Sequence, residues 1–326
     1  METHQKTVID SINKADRILL TTHFRPDGDA VGSITGLGRA LSIKGLDVHI
    51  VMKDPPGDRF AYMADGLSID SIENLKPPYD YVVTLDCGDF DRTGYTELLQ
   101  NLKIPIINID HHASNPSFGD INYVDTDASS TSEMVFGIID EGGWPLNRDI
   151  ARSLYSGICT DTRFFQIPSV SPGTFKCLAR LLETGLDTEP ILAILKDNKS
   201  FVDLKILARG LAKARTEMDG LLIWTHLTLK DLAELDAVSR NAWSSGLFNS
   251  LNSLGTALAC VSFIELEGGG VSGEYRSKRG FNVQEIATRF GGGGHIQASG
   301  CRLSGPQMIK DVLTVMREAL ILREAE

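Results

Sequence analysis

The sequence is poor in several things, and each shortage excludes something. Only five cysteines occur in 326 residues (Cys87, Cys159, Cys177, Cys260 and Cys301), and none forms a CxxC pair. Neither a disulfide framework nor a cysteine zinc site fits that scatter. No apolar run reaches the ~18–20 residues that span a bilayer, so no membrane partner is expected. Positive charge is in deficit: 32 Lys and Arg face 43 Asp and Glu, a net charge of −11. Proteins that track long nucleic acid carry a basic footprint, so a long strand is not an expected partner. The first residues, MetGluThrHisGlnLysThr, lack the charged-then-apolar order of a secretion signal, and the cytoplasm is the expected location. What remains is ordinary globular composition, 42% apolar and 23% charged, in a chain long enough for two domains.

The first half alternates short apolar runs with helical patterns. The runs are Arg17–Thr22, Val48–Met52, Tyr81–Leu85 and Ile104–Ile109. Apolar residues at helical spacing predict a helix over Ala30–Lys44, with others over Ser132–Glu141 and Arg148–Thr160. Strands alternating with helices predict right-handed βαβ units, an α/β fold with a mainly parallel sheet and flanking helices. Prolines and a glycine punctuate 167–200, and a helical stretch follows over Phe201–Glu217. From Leu221 the pattern is β-rich, with a helix expected over Val283–Phe290, a stop at Gly291–Gly294, and a closing helix from Pro306. The expected layout is a domain over 1–190, a helical linker over 191–218, and a smaller α+β domain over 219–326.

Chemistry-bearing residues follow the apolar runs. After the first come His23, Asp27 and Asp29; after the third, Asp86 and Asp89; after the fourth, Asp110, His111 and His112; after the helix at 148–160, Asp161. Ligands of open parallel sheets bind outside the carboxyl ends of the strands, so these residues are expected to converge. Buried Asp is rare unless paired or metal-bound. Taken singly, Asp27-Gly28-Asp29 is a good turn, and Asp86 and Asp161 are good helix caps. Taken together, Asp and His without Cys favour a hard or borderline ion such as Mn²⁺, Fe²⁺, Zn²⁺ or Mg²⁺. Six donors (His23, Asp27, Asp29, Asp86, His111 and Asp161) exceed one ion with open positions. They suit two ions about 3.5–4 Å apart that share a carboxylate.

The segments His23–Ser33, Asp86–Asp89, Asp110–Asn115 and Thr160–Thr162 resemble, in order and spacing, the four motifs of the DHH phosphoesterase superfamily. Gly291–His295, preceded by Tyr275–Gly280, resembles the companion DHHA1 domain. The compact two-domain layout is most similar to the oligoribonuclease and 3′-phosphoadenosine 5′-phosphate (pAp) phosphatase group, the nanoRNases. The resemblance implies an active-site cleft between the two domains. It implies that His23, Asp27 and Asp86 hold one Mn²⁺, and Asp29, Asp86, His111 and Asp161 a second. It further implies that His112 faces the scissile phosphate, that Asp110 orients an imidazole, and that Asn115 fixes the loop or the phosphate. Arg276, Ser277, Gly293, Gly294 and His295 become the substrate-binding residues.

Two departures stand out: Arg163 where many relatives have Gly, and Gly273-Glu274-Tyr275 where they often carry a serine and an apolar residue. The implied activity is a hydrolase that cleaves short oligoribonucleotides and pAp to mononucleotides by two-metal hydroxide attack. Its substrates are short RNA or small nucleotides, with a homodimer left open. The rivals are a cyclic di-AMP or pApA phosphodiesterase and a non-catalytic nucleotide-binding protein.

Overall fold

A computed structural model describes residues 2–196, 199–278 and 280–324. The chain forms two compact units, residues 1–198 and 199–326. Arg279, which the sequence adds to a basic cluster with Arg276 and Lys278, lies outside the described residues.

The first unit is built on five parallel strands: β1 (Arg17–Thr22), β2 (Asp47–Val51), β3 (Tyr81–Leu85), β4 (Ile106–Asp110) and β5 (Ile121–Val124). Their order is β2-β1-β3-β4-β5, parallel throughout. The order reverses between β1 and β3, which is where an open sheet opens a crevice at its carboxyl edge. β4 starts two residues later than the apolar run because Pro105 has no N–H to give the ladder. β5, unforeseen in the sequence, extends the sheet past β4.

Helices Gly28–Lys44, Thr131–Glu141 and Arg148–Asp161 are buried largely along one another. The first and third meet at a seam of glycines. A Cβ on Gly32 would lie 2.6 Å from the Ser153 carbonyl oxygen and 2.9 Å from Gly157 Cα, and one on Gly157 would lie 2.0 Å from Ser132 Oγ. At Gly32, backbone rests on backbone. The core joins Ile34, Leu37 and Leu41 with Leu20, Val83, Ile107, Leu154 and Ile158. The punctuated stretch after 167 folds into helices Pro172–Leu182 and Glu189–Lys196, the former started by a Ser171/Thr174 capping box.

The second unit opens with helix Phe201–Ala212, whose Ile206 joins that unit's core. β6 (Arg215–Glu217) follows, where the sequence pattern carries the helix on to 217. β7 (Leu222–Leu227), β8 (Ala259–Glu265), β9 (Val271–Ser277), β10 (Gly293–His295) and β11 (Ala298–Leu303) complete a sheet in the order β10-β11-β9-β8-β7-β6. Only β7 and β8 pair in parallel. The three short helices between them (Leu229–Ala233, Ser239–Ser244 and Leu247–Asn252) make that crossover. Helices Val283–Arg289 and Ile309–Glu324 complete the α+β unit. No helix among the described residues is long and apolar enough to cross a membrane.

Candidate metal centre

The carboxyl edge of β1, β3 and β4 gathers the polar residues named from the sequence. His23 follows β1 and is 4% exposed. Its Nδ1 lies 2.9 Å from the Phe24 carbonyl, an acceptor, and 3.4 Å from Arg92 Nη2, which turns Nε2 toward the carboxylates. That Nε2 lies 3.7 Å from Asp86 Oδ2 and 3.9 Å from Asp27 Oδ1. Asp27 caps helix Gly28–Lys44, its Oδ1 accepting from the N–H groups of Asp29 and Ala30. Asp27 thus starts the helix and also stands beside His23 and Asp86.

Asp86 follows β3 with φ 58°, a left-handed conformation that a branched side chain avoids. It is 1% exposed. Thr131 Oγ1 donates to its Oδ1 at 3.1 Å, and His111 Nε2 lies 3.7 Å from the same oxygen. His111 Nδ1 faces the Ala128 carbonyl at 3.4 Å, and its Nε2 is also 3.5 Å from Asp161 Oδ2. Asp29, equally buried, accepts from the N–H groups of Thr131 (2.6 Å) and Ser132 (2.9 Å), at the start of helix Thr131–Glu141. These amide donors belong to the backbone and carry no residue signature, so sequence reasoning does not find them. The one signal is the helix start itself, marked by Ser130 as its cap.

The donor atoms form three interlocking groups, each within 4.8 Å: His23, Asp27 and Asp86; Asp29, His111 and Asp161; and Asp86, His111 and His112. Separations of 3.5–3.9 Å between imidazole nitrogen and carboxylate oxygen exceed a hydrogen bond. They are short enough for one ion at about 2.0–2.2 Å from each atom. The electrostatics agree. Burial, then the charges of Asp86 and Asp161, push the Asp29 carboxyl well above its usual range. Burial, then Asp86 and Asp27, push Asp161 up to about 8. Burial opposes ionisation of Asp86 too, but the neighbouring imidazoles of His23, His111 and His112 outweigh it and lower its pKa. Clustered buried carboxylates that repel one another are relieved by cations. A donor set of carboxylates and imidazoles without thiolate suits hard or borderline divalent ions.

His112 stands beside this cluster. Its Nδ1 is 2.8 Å from Asp110 Oδ1. Burial works against its protonation, but that hydrogen bond and the charge of Asp86 raise its pKa to about 9. Asn115 is turned into the loop: its Nδ2 donates to Asp110 Oδ2 (2.6 Å) and the Cys87 carbonyl (2.9 Å). Arg163 follows Asp161 at φ 48°, with Phe164 and Phe165 also left-handed, and its charge eases the ionisation of Asp161.

In the second unit, β9 and β11 frame a groove of about 530 Å³ lined by Glu274, Arg276, Gly293, Gly294, Ser299 and Arg302, among others. Arg276 reaches the Tyr275 carbonyl (3.0 Å) and Glu274 Oε2 (3.7 Å), with its guanidinium over the Phe248 ring. Ser277 is buried, its hydroxyl donating to the Phe281 carbonyl. β10, with Gly293, Gly294 and His295, is an exposed edge strand. The groove thus unites Arg276 with the two glycines, while Ser277 faces the core. Glu274, singled out in the sequence only as a departure, lines it too.

Residues 17–158 match the DHH family, N-terminal domain, and residues 241–321 match the DHHA1 domain. A Thermus thermophilus protein named "Bifunctional oligoribonuclease and PAP phosphatase NrnA" is 33% identical over 313 residues, 93% of this chain and 90% of that one. Its Bacillus subtilis namesake is 27% identical over 318 residues, 95% of this chain and 98% of that one. A solved structure described as an exopolyphosphatase-related protein from Bacteroides fragilis superposes with a TM-score of 0.88 at 24% identity. It covers 98% of this chain and 96% of its own, a likeness of fold.

Proposed function

Because the chain belongs to the DHH phosphoesterase family, carrying both its DHH and DHHA1 domains, we propose that this hydrolase cleaves short oligoribonucleotides and pAp to mononucleotides in the cytoplasm, with two divalent cations, Mn²⁺ foremost. The observation that carries the two-cation reading is the position of Asp86. Its Oδ2 faces His23 and its Oδ1 faces His111, so one buried carboxylate has a separate imidazole on each side. On this reading His23, Asp27 and Asp86 hold one cation, Asp29, Asp86, His111 and Asp161 the other, and Asp86 is shared. When bound, such ions lower the pKa of water and offset charge on phosphoryl oxygens.

The protein's own groups do the rest. The Phe24 and Ala128 carbonyls hold His23 and His111 with Nε2 toward the carboxylates. The amides of Thr131 and Ser132 fix both oxygens of Asp29. His112, with Nδ1 committed to Asp110, gives a hydrogen bond or a proton through Nε2 to the phosphoryl or leaving oxygen. In the second unit, Arg276 and the glycine edge of β10 at Gly293 and Gly294 grip a phosphate of the nucleotide. His295 on the same edge strand adds a contact. The net charge of −11 disfavours a long strand and suits a small substrate.

The relatives' names support oligoribonuclease and pAp phosphatase activity over the rivals. The test is product analysis of pApA and pAp, each incubated with the purified protein and Mn²⁺. AMP from both is the expected result. If neither is touched while cyclic di-AMP or pyrophosphate is consumed, the substrate assignment is overturned.

A further inference from the structure

Asn108 sits in the middle of β4, fully buried, paired with Thr84 on one side and Asn122 on the other. A carboxamide inside a parallel sheet is costly unless its polar atoms are bonded. Here they are. Its Nδ2 donates to Asn115 Oδ1 (3.1 Å) and to Asn122 Oδ1 (3.0 Å).

Main-chain groups fix the direction of all three amides. The N–H of Ser117 donates to Asn115 Oδ1 at 2.8 Å. Asn115 Nδ2 must then point at the Cys87 carbonyl and Asp110 Oδ2, both acceptors. At the other end the N–H of Gly119 donates to Asn122 Oδ1 (3.0 Å), and Asn122 Nδ2 donates to the Gly119 carbonyl (2.6 Å). Turning any one amide over would set donor against donor or acceptor against acceptor. The loop at 119 reaches this network only because it lacks a side chain, since a Cβ there would lie 2.9 Å from the Cβ of Asn108. The chain of contacts runs on from Asn115 to Asp110 and from Asp110 Oδ1 to His112 Nδ1.

We propose that Asn108 is a positioning residue for His112, acting through Asn115 and Asp110. This rests on the reading above in which His112 meets the scissile phosphate. Asn108 shares with the Ser117 N–H in fixing Asn115, which keeps a donor on Asp110 Oδ2 and leaves Oδ1 aimed at Nδ1. The imidazole is thereby held with its Nδ1–H on Asp110 and its Nε2 presented for chemistry. Asn108 is set apart from the candidate metal donors and touches none of their side chains in the bonds above.

The test is Asn108→Leu, which keeps the side chain's size and removes its donors. Three readouts apply: turnover of pAp with Mn²⁺, metal content by elemental analysis, and the ¹⁵N signals of His112 in the metal-free protein at one pH. We expect kcat to fall about 10- to 100-fold, the usual cost of removing a supporting partner, with KM within about two-fold. Metal content should be unchanged, and the His112 Nδ1–H signature lost or broadened. In an His112→Ala background the same substitution should change kcat by less than about two-fold. An equal fall in both backgrounds, loss of metal, or an unchanged His112 signature overturns the proposal. If Asn108→Leu does not fold, Asn122→Ala removes one acceptor of the network and should give the same pattern at smaller size. Failure of pAp and pApA as substrates would overturn the functional reading, while the ¹⁵N signature would still decide the positioning role.

Discussion

In the first unit the candidate ligands are side chains at a buried centre, most of them held from behind: two amides fix Asp29, a threonine hydroxyl meets Asp86, and carbonyls orient His23 and His111. In the second unit the candidate phosphate contacts on β10 are exposed backbone at a sheet edge, made available by missing side chains. One site is built by over-determination, the other by omission. The first arrangement suits charges that must not move during bond cleavage. The second suits a partner that must enter and leave.

The strongest way to break this contrast is Asp86→Ala. We expect turnover to fall by more than about 100-fold, beyond the cost of losing only a ligand's supporting partner. Two equivalents of Mn²⁺ should no longer be retained, readable by elemental analysis. With the native chain, Mn²⁺ at about 100 times its Kd should stabilise by about 2.7 kcal/mol, a rise of roughly 5–10 °C in the melt for a unit of this size. Hydrogen exchange should slow at the ends of β1, β3 and β4 and stay unchanged in β9 and β11. Protection spread evenly over both units would erase the contrast.

Arg276→Ala comes next. A hydrogen bond to a charged group is worth about 1.5–3 kcal/mol, so KM should rise about 10- to 100-fold with kcat little altered. A fall in kcat at constant KM would move Arg276 into the chemistry. The glycines then sharpen the idea of omission. Gly294→Ala meets φ 131° and the Ala298 carbonyl at 2.6 Å, and should destabilise the second unit by about 1–3 kcal/mol in denaturant. Gly293 has open space beside it, so Gly293→Ala should leave that stability alone and weaken only substrate. The smallest effect is expected from Glu274→Gln. It removes a partly exposed carboxylate 3.7 Å from Arg276 and should lower KM by no more than about five-fold.

The first unit was the more legible in sequence, for a physical reason. Asp and His interrupt runs of Ile, Leu and Val, so the strand ends announce themselves, and the structure brings His23, Asp27, Asp29, Asp86, His111 and Asp161 together. β5 was hidden because its four residues, Ile-Asn-Tyr-Val, are too few to show a period beside a loop, and its strand character comes from pairing with β4. Helix Pro172–Leu182 was obscured by prolines and a glycine that start it rather than break it. Asn108 looked like one polar residue in an apolar run, since nothing local shows that Asn115 and Asn122 close around it. Ser277 reads as a phosphate contact beside Arg276, but the alternation of β9 turns successive side chains to opposite faces and sends its hydroxyl inward.

The glycine seam between helices Gly28–Lys44 and Arg148–Asp161 has a consequence for inheritance. These helices carry Asp29 and Asp161, and main chain touching main chain sets their spacing. Such a gauge has no side chain to wear or exchange. A single methyl group at Gly32 would meet main chain that cannot turn aside and would push the two carboxylates apart, whereas one at Gly157 would first meet the side chain of Ser132. The seam makes the interval between charges one of the least negotiable lengths in the molecule.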